Sequence, residues 1–185
     1  MARPIAPAKV LLAMARLDQA ELNACRAFNR SVRRAGLLRV VRIASRLGDG
    51  VLWYWLMGLM ALAGGEVGRL VALRCAVAGI AGLALYRGLK NLLVRERPYM
   101  THAAIVCAGR PLDRFSFPSG HTLHAVSFTL IICSSLPWTA VVLVPAALLI
   151  ALSRMVLGLH YPSDVIAGGL LGVGVATATM SWVDA

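Results

Sequence analysis

Three short stretches of this 185-residue chain carry side chains that could together move a phosphoryl group. In KNLLVRERP, Lys90 and Arg97 stand seven residues apart, two helical turns along one face if the helix persists. Pro98 then disfavours helix in the residue before it. In the second stretch, Pro118-Ser119-Gly120-His121, proline followed by glycine favours a tight turn, and glycine lets backbone N–H groups approach an anion. A following helix would add the positive end of its dipole, and the serine hydroxyl could donate once more. His121 stands at the start of that helix, where it can hold a proton for transfer. The third stretch is SRMVLGLHYPSD, in which Arg154 offers a planar fork for phosphate oxygens. Asp164 follows His160 by four residues, with Pro162 suited to helix entry. A carboxylate there can hold one imidazole nitrogen and leave the other with a free lone pair.

These stretches matter only if the fold gathers them, and hydropathy says how. The chain is 59% hydrophobic and only 15% charged, with mean hydropathy +0.74. A soluble domain holds about 45–50% apolar and about 25% charged residues, so lipid must be part of this chain's solvent. Five spanning candidates cover about 50–65, 69–89, 121–137, 138–157 and 162–183, the first of them short. The second ends near Lys90, the third begins near His121, the fourth ends near Arg154 and the fifth begins after His160. Each alternation returns the chain to one membrane face, so all three polar stretches collect there. In the last candidate Gly168 and Gly172 make a small-xxx-small spacing that permits close helix contact. The fold expected is all-α: a polytopic bundle of about five spanning helices.

Residues 1–47 read as a separate unit ahead of a membrane-embedded catalytic part at 48–185. Ten of the 19 lysines and arginines lie within residues 1–50, and the formal net charge is +11. Residues 26–47 read as two amphipathic helices broken at Gly36. Arg26, Arg30 and Arg33 share one face; Arg39, Arg42 and Arg46 share another, with Val40, Ala44 and Leu47 turned away. Such helices suit an anionic headgroup layer. With this apolar content, lipid headgroups or a phosphorylated substrate explain the charge better than nucleic acid. Because the opposite face carries little beyond Arg69 and Arg74, the excess of positive charge points the polar stretches toward the cytoplasm. Trp53, Tyr54 and Trp55 read as an interfacial anchor or as packing. The four cysteines, Cys25, Cys75, Cys107 and Cys133, lack CxxC spacing and read as free.

Three basic residues, two histidines and an aspartate converging at a lipid boundary would be costly without a polyanionic guest. Nucleophile, orienting acid, proton donor and oxyanion clamp are then all at hand, and phosphoryl transfer through a phosphohistidine is the chemistry implied. No metal or other cofactor is needed: Glu96 and Asp113 make no paired-acid motif for magnesium, and His121 and His160 lack a well-placed third ligand for zinc.

The three stretches, KxxxxxxRP, PSGH and SRxxxxxHxxxD, resemble the signatures of the type 2 phosphatidic acid phosphatase superfamily, which includes lipid phosphate phosphatases and vanadium haloperoxidases. The resemblance implies His160 as nucleophile, Asp164 as its partner and His121 as general acid. It implies that Lys90, Arg97, Ser119, Gly120 and Arg154 bind phosphate. It further implies a bundle of typically six membrane helices, from which this chain departs by lacking a clear first span. The expected substrate is a lipid phosphate or diphosphate: a prenyl diphosphate such as undecaprenyl diphosphate, phosphatidylglycerophosphate or phosphatidic acid. A lipid phosphotransferase would use the same residues, and a lipid-binding scaffold with a vestigial site is the non-enzymatic alternative. The motifs set neither the lipid tail nor an oligomeric state.

Overall fold

The computed structural model describes residues 8–183, so the first seven residues of the N-terminal unit lie outside the described residues. Helices α1 (Ala8–Asn29) and α2 (Ala35–Leu47) come first. Then follow α3 (Val51–Ala63), α4 (Gly65–Leu93), a single turn α5 (Pro98–Thr101), α6 (Gly120–Ser135), α7 (Ala140–Val156) and α8 (Pro162–Val183). The expected spanning stretches correspond to α3, α4, α6, α7 and α8. Three segments are long and apolar enough to cross a bilayer on length and composition: Gly65–Leu93, Pro137–Val156 and Pro162–Val183. The 13 residues of α3 reach only about 20 Å, and the 16 of α6 about 24 Å, against a hydrocarbon core of about 30 Å.

The shorter α6 is the axis of the bundle, packed against α4, α7 and α8. Its apolar residues Leu123, Ala125, Phe128, Ile131 and Ile132 are all buried. α3 folds back on α4 through Gly64-Gly65, where Gly65 takes a positive φ of 61°. Outward faces stay apolar: Leu62, Ile80, Val141, Leu148, Leu170 and Trp182 are exposed, as a lipid-facing surface requires.

Some local expectations need correction. The break in the N-terminal unit falls at the 3-10 turn Arg30–Arg33, not at Gly36, which lies inside α2. α2 buries Val41, Ala44 and Ser45 and leaves Val40 and Leu47 exposed, because it packs on α7. Trp53 is core, with its ring centroid 5.3 Å from that of Phe128, while Tyr54 and Trp55 are exposed. Lys90 and Arg97 do not share a helix, since α4 stops at Leu93 and Val94 adopts a left-handed conformation, φ 42°. The following strand-like stretch bridges Glu96 to Phe115 instead. All four cysteines are free.

The small-residue spacing on α8 sets how near α6 comes. A Cβ on Gly168 would stand 2.5 Å from the Ser119 carbonyl oxygen, and one on Gly172 would stand 2.6 Å from that of Leu123. Backbone cannot yield as a side chain can, so alanine at either position must push α8 off α6. Gly168→Ala is expected to cost about 1–3 kcal/mol, read as a lower melting temperature in detergent. Gly174→Ala, with nothing within 4 Å, is expected to be neutral or slightly stabilising.

Candidate active site

Each motif residue is held by local backbone chemistry. Ser119 is the N-cap of α6: its Oγ accepts the Thr122 N–H at 3.4 Å and pairs with the Thr122 hydroxyl at 2.9 Å. This bond satisfies one of the orphan donors at the helix start. The Ser119 N–H donates to the Asp164 carbonyl at 3.0 Å, which ties this turn to the start of α8. At the end of α7, Gly158 takes φ 73°, and a Cβ there would meet the Val106 carbonyl oxygen at 2.7 Å. The chain reverses at that point, the N–H groups of Leu159 and His160 donate to the Arg154 carbonyl, and His160 is delivered beneath the motif arginine. Asp164, three residues into the next helix, turns its Oδ2 back to the Tyr161 N–H at 2.7 Å. That is the acidic half of a capping box.

A cavity of about 450 Å³ opens among these elements. Lys90, Arg97, Gly120, His121, Arg154 and His160 line it, together with Trp53, Met57, Ile80, Leu83 and Phe128. Its wall on α4 runs from Cys75 to Lys90, about four helical turns from the cations into the apolar bundle. Of the expected site residues, Ser119 and Asp164 are not in that wall: the first is fully buried as a cap, and the second stands behind His160.

His160 Nε2 is 3.2 Å from Arg97 Nη1. Its Nδ1 lies 3.6 Å from Asp164 Oδ2, beyond hydrogen-bond reach, and has no partner. Burial, then Arg154, Arg97 and Lys90, hold the imidazole well below its ordinary range, which favours the neutral ring, with Arg97 donating toward the Nε2 lone pair. Arg154 is 1% exposed. One of its terminal nitrogens donates to the Ser45 hydroxyl of α2, while its Nε is buried without an acceptor. Lys90 Nζ binds Asp113 at 2.6 and 2.9 Å, and Arg97 Nη2 binds the same carboxylate at 2.9 Å. Burial pushes the Asp113 carboxyl up, but Lys90 and Arg97 outweigh it and hold the group below the usual range.

Several residues at the site were not singled out from sequence. Asp49, between α2 and α3, binds His121: Oδ1 is 2.6 Å from Nε2. That bond, against burial, depresses the Asp49 carboxyl. Arg95 binds Asp164 Oδ1 at 2.8 Å and Glu21 of α1 at 2.6 Å, and it stacks 4.0 Å over the Tyr161 ring. Glu21 also accepts the Ser163 N–H at 2.8 Å. The signals for two of them were present: a carboxylate between two glycines in Gly48-Asp49-Gly50, and a second arginine two residues before Arg97. Glu21 left no local trace, because its partner is more than seventy positions away. His124, one turn after His121, makes an interhelical contact, Nε2 to the Gly79 carbonyl at 3.3 Å. Tyr99 packs into the N-terminal core rather than over the cavity. Among the described residues, no three His, Cys, Asp or Glu side chains come together to hold a metal ion.

Comparison with known proteins identifies the family and the fold. The family model described as PAP2 superfamily matches residues 70–185. A decaprenylphosphoryl-5-phosphoribose phosphatase of Mycobacterium tuberculosis is 33% identical over 146 residues, covering 78% of this chain and 79% of that protein. The crystal structure of Aquifex aeolicus LpxE superposes with TM-score 0.75 at 26% identity, covering 86% of this chain and 94% of that one. The fold is also that of the transmembrane PAP2 type phosphatidylglycerolphosphate phosphatase from Bacillus subtilis, with TM-score 0.69 and 22% identity over 95% of this chain and 92% of that one.

The depressed basicity of His160 gives a direct check. Its ring is expected to remain neutral at pH 6, below the ordinary histidine value of about 6.5. Histidine-ring 15N shifts in labelled protein in detergent would read it, and a protonated ring at pH 6 would contradict the electrostatics described above.

Proposed function

This chain belongs to the PAP2 superfamily, and from that premise we propose that it hydrolyses a lipid phosphate or lipid diphosphate by way of a phosphohistidine on His160. The supporting observation is the cluster of three buried cations, Lys90, Arg97 and Arg154, around a neutral imidazole. Such a cluster calls for a polyanion, and one guanidinium nitrogen, Arg154 Nε, is short of an acceptor.

The substrate's tail lies along α4 in the apolar part of the cavity, with its phosphate among the cations. As phosphate enters, its oxygens replace the Asp113 carboxylate on Lys90 and Arg97, and Arg154 and the Ser119–Gly120 turn take the remainder. Nε2 of His160 attacks phosphorus, the bond from phosphorus to the leaving oxygen breaks, and His121 gives that oxygen its proton. Asp164 stabilises the positive charge that develops on His160. Water then attacks the phosphohistidine and passes a proton to His121. The P–N bond breaks and inorganic phosphate departs. The arginines and lysine supply the charge neutralisation that a metal would otherwise provide.

The relative from M. tuberculosis is named for a prenyl-linked phosphorylated sugar, which makes prenyl-linked phosphates the first substrates to try. Residues 1–47 are proposed to rest in the headgroup layer against anionic lipids, with 48–185 embedded. Their arginines argue that the site opens to the cytoplasmic side of the inner membrane.

Phosphate release from a panel of decaprenylphosphoryl-5-phosphoribose, undecaprenyl diphosphate, phosphatidylglycerophosphate and phosphatidic acid tests the activity. Release is expected to persist in chelator, to be inhibited by vanadate, and to fall about a thousandfold or more on His160→Ala. Magnesium dependence together with survival of that substitution would refute the mechanism. For orientation, Arg30→Cys in a background lacking the four native cysteines should resist an impermeant thiol reagent in intact cells; labelling would reverse the assignment.

A further inference from the structure

Outside the matched residues 70–185, the turn Gly48-Asp49-Gly50 is built around one contact. Asp49 Oδ1 lies 2.6 Å from His121 Nε2, a short hydrogen bond. Gly48 passes so close to the ring that a Cβ would stand 2.9 Å from His121 Cδ2 and 2.8 Å from Ile150 Cγ2. Gly50 takes φ 114°, which side-chain-bearing residues rarely adopt. The helix leading into this turn is anchored. Val41 and Ala44 are buried, Arg42 Nε donates to the Ala108 carbonyl at 2.9 Å, and the Ser45 hydroxyl meets Arg154.

We infer that Asp49 is the positioning carboxylate of His121, holding its ring in place and favouring its protonated form before substrate arrives. This rests on the reading of His121 as the leaving-group acid. A donor must enter the first step carrying its proton, and its surroundings oppose that. Arg154 from α7 and Arg97 from the segment after α4 face the same cavity as the ring. Lys90 of α4 and His160 line the same cavity, and His124 lies one turn along α6. Among the other acids nearby, Asp113 is committed to Lys90 and Arg97, and Asp164 of α8 is committed to Arg95 and the Tyr161 N–H. Only Asp49 among the described carboxylates bonds the His121 ring. On its other side Asp49 borders a second cavity lined by Arg42, Arg46 and Arg110, which favours its anionic form. Once a dianionic phosphate is bound, the phosphate supplies the same support. The effect of Asp49 therefore falls on the free enzyme and shows in kcat/KM more than in kcat.

The test uses the full chain in detergent and whichever lipid phosphate the panel shows to be cleaved, with wild type and His160→Ala measured first. Asp49→Asn is expected to move the alkaline limb of the kcat/KM profile about one unit to lower pH, with a smaller movement in kcat. Asp49→Glu is expected to restore part of the shift, and in a His121→Ala background Asp49→Asn should have no further effect. A profile unchanged, or lowered equally at every pH, would overturn the inference. If His160→Ala stays active, the phosphatase mechanism fails instead. The 15N titration of the His121 ring in wild type and Asp49→Asn then decides the contact without substrate, with no difference between the two counting against it.

Discussion

Three cations held out of water beside two imidazoles are the constraint on which the rest of this molecule turns. Lys90, Arg97 and Arg154 are each less than a tenth exposed, and such groups are tolerated in an apolar bundle only when carboxylates, carbonyls or a guest anion answer them. The protein answers with Asp113 on two of the cations, with the carbonyls of Asp113 and Leu159 on Arg97, and with a serine from a distant helix on Arg154. The answer is incomplete, since Arg154 Nε has no acceptor, and burial together with these cations holds the His160 ring well below its ordinary range.

The N-terminal helices contribute directly to the candidate site. Glu21 of α1 grips Arg95, which grips Asp164 behind one imidazole. Ser45 and Asp49, at the end of α2, reach Arg154 and the other imidazole. The N-terminal segment thus reaches the polar end of the bundle at two places. Its arginines can face headgroups while its few carboxylates and hydroxyls face inward.

Much of this was legible in the sequence. Alternating hydropathy was enough to bring Lys90, His121, Arg154 and His160 to one end, because a bilayer lets a helix do little but cross. Gly168 and Gly172 announced a close contact for the same reason: in lipid, small residues pay off only in packing. What stayed hidden were partners joined by tertiary contact alone. The seven-residue spacing of Lys90 and Arg97 suggested a shared helix, yet they meet through Asp113 after the helix has ended. For Trp53, Tyr54 and Trp55 the sequence left anchoring and packing both open, and only Trp53 turns toward Phe128. Glu21 gave no pattern at all, since one carboxylate on a basic helix is indistinguishable from surface.

The backbone-on-backbone seam between α6 and α8 separates two kinds of evolutionary freedom. Because carbonyl oxygens of α6 rest directly against glycines of α8, no side chain sets the distance between the turn bearing His121 and the helix bearing Asp164. The outward residues Ile166, Leu170 and Val173 can therefore be exchanged for other apolar side chains without moving this seam. Substitution on that side is cheap, whereas at Gly168 and Gly172 the opposing backbone leaves no room for a side chain.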